Sequence, residues 1–210
     1  MLQFIELLAV ISAGTFGVLL ARRKGMDFVG VFSVACMAAF GGGTLRDVFL
    51  DRHPLFWIQH HHYPLIVFGL ALVTSLVRRI PKVVEKALYL PDALGLGLFS
   101  VVGAGYAIEA DTSWFIAALL GTITGTFGGV IGDVVCNELP SLFRSAPLYA
   151  TCSFLGCWVY LFLQNAVPQQ IIAIAAGIVA IVLLRLAALY WNIRLPEFSP
   201  TDAENRTEPR

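Results

Sequence analysis

The sequence predicts an all-α polytopic membrane protein: seven transmembrane helices built as two inverted three-helix repeats plus a seventh helix, with helices 2 and 5 kinked. Three observations predict it. Of 210 residues, 58% are hydrophobic and only 13% charged, against about 25% charged in a soluble domain, and mean hydropathy is +0.77. Seven apolar stretches approach the roughly 20 residues a span needs, at about 3–21, 28–49, 63–78, 92–109, 114–136, 146–164 and 167–191. The chain also matches itself at a constant offset of 86 positions, without a gap.

The charges orient the spans. If seven spans alternate sides, Arg22, Arg23, Lys24, Arg78, Arg79, Lys82, Lys86, Arg144, Arg194, Arg206 and Arg210 fall together, and Arg52 alone falls opposite. Positive charge accumulates on the cytoplasmic side, so the amino terminus is expected outside and the carboxyl terminus inside. The start, MLQFIELLAVISAGTFGVLLARRK, carries its positive charges after the apolar run rather than before it, which fits a retained first span better than a cleaved signal peptide. Net charge is zero, so no nucleic-acid partner is expected. Residues 193–210, polar and with three prolines, read as a disordered cytoplasmic tail.

The repeat is clearest in two motifs, FGGGTLRDVFLDRHP at 40–54 and TFGGVIGDVVCNELP at 126–140. Gly42, Gly43, Asp47, Val48 and Pro54 match Gly128, Gly129, Asp133, Val134 and Pro140, and the same offset pairs Glu6 with Asp92, Gly17 with Gly103, Ala21 with Ala107 and Tyr63 with Tyr149. Each repeat holds three spans, and three is odd, so the second copy enters the membrane from the opposite side. The expected units are residues 1–86, 87–166 and 167–192, followed by the tail. Inverted repeats place transported solutes near mid-membrane, between the copies.

The motifs carry the site chemistry. Glycine costs about 1 kcal/mol relative to alanine inside a helix, so Gly41, Gly42 and Gly43, with Gly128 and Gly129, mark points where spans two and five can kink or unwind. Unpaired backbone at membrane depth is tolerated only against protein or a wet cavity. Asp47 and Asp133 are intramembrane acids, which generally face the bundle interior. With Thr44, Thr124 and Thr126 they offer oxygens to a cation, and potassium is the only metal expected, weakly, at Asp47 and Asp133. Adjacent helical residues point about 100° apart, so Arg46 is expected to reach past Asp47 to Asp133 and hold a pathway closed.

Other features read more plainly. Glu6 and Asp92 are expected to cap helix starts, where negative charge is favourable. His60, His61 and His62 read as a polar turn. Trp57, Tyr63, Trp114, Trp158 and Tyr160 read as interfacial anchors, and Cys36, Cys136, Cys152 and Cys157 as small buried hydrophobes. The basic cluster Arg78, Arg79, Lys82 and Lys86 satisfies the orientation rule and offers contact to membrane lipid. No nucleophile–base pair, phosphate loop or cofactor motif is present, so neither an enzyme nor a cofactor is expected.

The motifs GGGTLRD and GTFGGVIGD, on spans two and five of a three-plus-three-plus-one layout, resemble those of the prokaryotic trimeric intracellular cation (TRIC) channels, over about residues 1–192. The resemblance implies a homotrimer with a pore in each protomer, spans two and five kinked at their glycines and lining it, and passage of monovalent cations, chiefly potassium. A related bacterial branch is labelled as glycine transporters, and its second motif commonly carries Arg before Asp, where this chain has Gly132. The channel is therefore the leading expectation, and a secondary transporter of a small zwitterion such as glycine the alternative.

Overall fold

The computed structural model describes residues 1–77 and 89–196. The described residues are helical and contain no strand: α1 (Leu2–Arg23), α2 (Phe28–Phe49), α3 (Phe56–Gln59), α4 (His62–Leu76), α5 (Tyr89–Glu109), α6 (Trp114–Val135), α7 (Ala150–Ala166) and α8 (Gln170–Tyr190). Five of these, α1, α2, α5, α6 and α8, are long and apolar enough to cross a membrane. A 22-residue helix is about 33 Å long, a little more than a hydrocarbon core. The one-turn α3 breaks the connection between α2 and α4 and has no counterpart in the sequence prediction. The expected unit boundary at residues 86 and 87, the basic cluster Arg78, Arg79, Lys82 and Lys86, and most of the tail lie outside the described residues.

Local chemistry repeats at the same offset as the sequence. Helices α2 and α6 have bounds 86 residues apart at both ends. Each starts with a capping side chain, Asp27 accepting from the Gly30 amide at 2.8 Å and Ser113 from the Ile116 amide at 3.4 Å, which satisfies an otherwise orphan donor. Besides the end of α8 at Asn192 (52°), four helix ends that pair at this offset turn through positive φ, at Gly25 (70°) and Asp111 (55°), and at Asp51 (50°) and Asn137 (56°). Each is closed by a backbone bond across the turn: Met26 to Ala21 and Thr112 to Ala107, Arg52 to Asp47 and Glu138 to Asp133. This is the left-handed stop that Gly and Asn favour.

The helices run alternately between two ends of the bundle. The amino-terminal end gathers Met1, Arg52, Glu109 and Gln170; the carboxy-terminal end gathers Arg23, Asp133, Arg144 and Arg185. At the centre, α2 packs on α1 and α6, and α5 packs on α1 and α6. Helix α4 covers α1 and α2, while α7 and α8 cover α5. Two apolar cores result, one around α1, α2 and α4 and one around α5 to α8. Large apolar side chains such as Phe4, Leu65, Val73, Phe162 and Leu183 face outward, as lipid-facing residues do.

The glycines are not points of unwinding; they allow the close packing that is the plainer reading of small residues in a span. Both α2 and α6 run as uninterrupted α-helix through Gly41–Gly43 and Gly128–Gly129, so no backbone is unwound there. The glycines instead permit contact. A Cβ on Gly42 would overlap the carbonyl oxygen of Thr124, and one on Gly128 the carbonyl oxygen of Ala38. The two helices cross backbone to backbone, an approach that small residues allow in membrane proteins. Gly41 faces Ile131, Gly43 faces the Phe56 ring and Gly129 faces the Tyr149 hydroxyl. Two of the expected interfacial anchors are also relocated: Tyr63 and Tyr160 are buried in the cores, and the Tyr63 hydroxyl donates to the Gln3 carbonyl at 3.1 Å. All four cysteines are free thiols, three of them buried.

Candidate functional site: two buried charge clusters at opposite ends

The first cluster lies toward the amino-terminal end, where α1, α2, α3 and α5 meet. Arg46 is fully buried. Its Nε donates to Asp47 Oδ1 at 2.9 Å and its Nη1 to Glu6 Oε1 at 2.8 Å. The guanidinium carbon sits 4.6 Å from the Tyr106 ring centre and 5.1 Å from that of Phe56, a cation–π arrangement. The second oxygen of Asp47 accepts the Phe56 amide at 2.8 Å, so the carboxylate also fastens α3. Nearby, the Thr44 hydroxyl accepts the Trp57 indole N–H at 3.1 Å.

Two expectations are corrected here. Arg46 pairs with Asp47 and Glu6, not with Asp133. Its stem is long enough to fold back on the next residue. Asp133 lies at the carboxy-terminal end, because α2 and α6 run in opposite directions and put their C-terminal turns at opposite ends. Glu6 is not a cap either; it is buried at 1% exposure as the partner of Arg46.

The second cluster lies toward the carboxy-terminal end. Asp92 lies in the first turn of α5, as expected, and also accepts from the Tyr149 hydroxyl at 3.2 Å and from Arg185 Nη2 at 3.2 Å. Arg185 Nη1 donates to the carbonyls of Pro147 at 3.0 Å and Leu148 at 2.9 Å, and its guanidinium lies 4.6 Å from the Tyr149 ring centre. Asp133 accepts the Ser141 amide at 3.1 Å and forms no ion pair among the described residues. These groups line a cavity of about 150 Å³ with Gly129, Glu138 and Arg144. A narrower space of about 20 Å³ continues inward past Asp92 to Phe99, Thr124 and Gly128.

Between the clusters is the glycine crossing. The hydroxyls of Thr124 and Thr126 donate to the carbonyls four residues back, at 2.6 and 2.7 Å, and so are satisfied within α6. On the far side of the first cluster, Arg52 lies 3.7 Å from the Tyr106 ring centre, at a surface depression shared with Gln3, Glu109 and Gln170. The expected site residues are thus distributed: Arg46, Asp47 and Thr44 at one end, Asp133 and Gly129 at the other, and Gly41, Gly42, Gly43, Thr124, Thr126 and Gly128 at or beside the crossing. Sequence reasoning missed Arg185, Tyr149, Tyr106 and Phe56. A signal for Arg185 was present, since it is the sole charge within an otherwise apolar seventh span, and an ionisable residue in a span is a functional candidate by default.

The fold and the paired clusters define a class, the TRIC type of membrane protein. The structure is similar to that of the TRIC trimeric intracellular cation channel orthologue from Rhodobacter sphaeroides, with a TM-score of 0.85 and 33% identity over 91% of this chain and 98% of that one. A second TRIC cation channel, solved to explain conductance, matches with a TM-score of 0.84 and 28% identity over 94% of this chain and 97% of that one. The chain belongs to the membrane-protein family described as glycine transporter, whose sequence model matches it twice, at residues 3–79 and 89–165. Relatives include a UPF0126 membrane protein of Vibrio cholerae, 36% identical over 96% of this chain and 84% of the relative. Another is the inner membrane protein YadS of Escherichia coli, 36% identical over 87% of this chain and 89% of that protein.

Proposed function

We propose that the protein is a monovalent-cation channel, permeable to potassium, with a pathway inside each protomer along the seam of α1, α2, α5 and α6. The observation that carries the reading is the pair of charge clusters at the two ends of the glycine crossing. At the heart of one stand Glu6 and Asp47 with Arg46, and at the heart of the other Asp92 with Arg185, beside Asp133, which forms no ion pair among the described residues. A carboxylate left without an ion-pair partner beside a low-dielectric seam attracts cations. The full-length likeness to TRIC channels supports the same class, and on that likeness the working unit is a homotrimer with one pathway per protomer. The family model's two matches and the paired helix ends support two inverted repeats, 1–86 and 87–166. The amino-terminal end faces outward, as the positive-charge bias requires, and the cavity at Asp133 opens to the cytoplasm.

This structure is a closed state. A cation entering from the cytoplasm reaches Asp133, whose carboxylate has no cationic partner among the described residues, and then meets the crossing at Gly42 and Gly128. Beyond it stand Phe56 and the buried Arg46. Conduction requires α2 and α6 to part and Arg46 to turn from Glu6, so Asp47, Thr44, Thr124 and Thr126 contact the ion only in an open state. Asp133 is the cation contact of the closed one.

Purified protein in a planar bilayer under a potassium gradient tests this. Unitary currents reversing near the potassium potential are expected. Asp133→Asn should lower conductance several-fold with little loss of thermal stability; unchanged conductance would remove Asp133 from the pathway. A second reading, a transporter of a small zwitterion, is favoured by the family description and by a cavity of about 150 Å³ that presents Asp133 and Arg185 together. Saturable glycine uptake without unitary currents would establish that reading over the channel.

A further inference from the structure

We infer that the last helix, α8, supplies the arginine that the second repeat lacks, so that Arg185 latches the cytoplasmic end of the pathway as Arg46 latches the outer end. The inference rests on the pathway reading above. Arg46 follows the offset of 86 to Gly132, so the second motif has no guanidinium of its own. Its carboxylates are nonetheless the repeat mates of those at the other end, Asp92 of Glu6 and Asp133 of Asp47.

Arg185 takes up the same relation to them that Arg46 has. It is 5% exposed. It donates to Asp92 at 3.2 Å as Arg46 donates to Glu6, and each guanidinium lies 4.6 Å from a tyrosine ring centre. Arg46 touches the carboxylate that fastens the segment after α2. Arg185 fastens the segment before α7 directly, through the Pro147 and Leu148 carbonyls. Helix α8 packs on α5 and α7 and lies outside both family matches. An element outside the duplicated unit has therefore taken over a position within it. The side chain lines the cavity that leads to Asp133. The guanidinium thus holds Asp92, Tyr149 and the 147–148 backbone together across the inner mouth. Release of Asp92 by Arg185 leaves that carboxylate held by the Tyr149 hydroxyl alone and lets the mouth widen toward Gly129 and Thr124.

Directional labelling tests this without relying on the cargo. A cysteine at Thr124→Cys, buried at the neck, is probed with a membrane-impermeant thiol reagent from either face of oriented vesicles, with the parent chain and its four native thiols as control. Arg185→Gln should raise labelling from the cytoplasmic face tenfold or more and leave the outer rate unchanged, while Arg46→Gln should do the reverse. Adding Gly132→Arg to Arg185→Gln should bring the inner rate back to within about threefold of the Thr124→Cys parent. A Cβ is accommodated at that position, where it would meet only Leu20 at 3.6 Å. Should Arg185→Gln not fold, Arg185→Lys, which keeps the charge but cannot span Asp92 and both carbonyls, should give a smaller rise on the same face. An inner rate unchanged in a folded Arg185 variant, or a rise equal from both faces, overturns the inference. If neither arginine variant opens Thr124→Cys to either face, the pathway reading itself fails, whereas an Arg46 effect with a silent Arg185 sinks only the role of Arg185.

Discussion

The Arg46 cluster and the Arg185 cluster use similar parts to different ends. At the amino-terminal end, guanidinium and carboxylates are excluded from the surface: Arg46, Glu6 and Asp47 are each at most 1% exposed, beneath Phe56 and Tyr106. At the carboxy-terminal end, Arg185 and Asp92 line an open cavity and Asp133 is only half-buried. The arginine at the sealed end comes from the motif itself; at the open end it comes from an added helix. The acids stand at matching positions of the two stretches that the family model matches, while the two ends differ in how those acids are neutralised and how wet they are.

The largest effect expected from breaking that asymmetry is at Arg46. Removing one partner of a buried ion pair leaves an uncompensated charge and costs about 3–5 kcal/mol. Here Arg46→Gln strands two carboxylates, Glu6 and Asp47, so a large drop in melting temperature in detergent is expected. Glu6→Gln added to Arg46→Gln should recover part of it, because residues in one network are non-additive. Arg185→Gln should cost less, since water in the adjoining cavity can solvate Asp92. Equal losses at the two arginines would erase the distinction between a sealed and an open end.

Much of this architecture was legible in the sequence. The offset of 86 read from Gly42, Asp47 and Pro54 reappears in the bounds of α2 and α6 and in the positive-φ stops, because capping and stop residues act locally and leave a local trace. What was not legible was which charges would meet. Adjacent helical residues diverge at their Cβ atoms, yet an arginine stem is long enough to fold back along the helix, so Arg46 meets Asp47. Because α2 and α6 run in opposite directions, their matching turns stand at opposite ends, away from one another. A glycine in a span can mark a kink or a close packing; the facing carbonyls of Thr124 and Ala38 select packing here, and no local pattern names those neighbours. Helix α3, one turn long, has too few residues for a periodic signal, yet it delivers Phe56 to Arg46.

A middle-sized effect should separate glycines at the crossing from one at the open end. Gly42→Ala and Gly128→Ala each drive a methyl into a backbone carbonyl of the facing helix, which cannot move as a side-chain tip can. Overpacking of this kind costs about 1–3 kcal/mol. Gly132→Ala meets only Leu20 at ordinary contact distance and removes a glycine from a helix interior, so it should be neutral or stabilising by up to about 1 kcal/mol. Thermal unfolding of the three variants checks the order. If the crossing widens rather than unfolds, Gly42→Ala should also raise the open probability in bilayers, and Gly132→Ala should not.

The smallest effect lies at the rim of the open end, where Lys24 after α1 forms an ion pair with Glu138 after α6. The Lys24 ammonium, as hydrogen-bond donor and as charge, holds the Glu138 carboxyl below its ordinary range. A depressed carboxyl adds stability that is fully present above the unfolded-state value, about 4.3, and is lost as pH falls through the lower folded-state value. Lys24→Ala should therefore cost little at neutral pH, at most about 1 kcal/mol for so exposed a pair, and nothing once Glu138 is protonated. The contrast with Arg46 is then one of solvent: 0.5 M salt should shrink the Lys24 effect, because exposed pairs are screened, and leave the Arg46 effect nearly whole. Melting curves of both variants at low and high salt measure this, and a salt-insensitive Lys24 effect would mean that the rim is drier than its exposure implies.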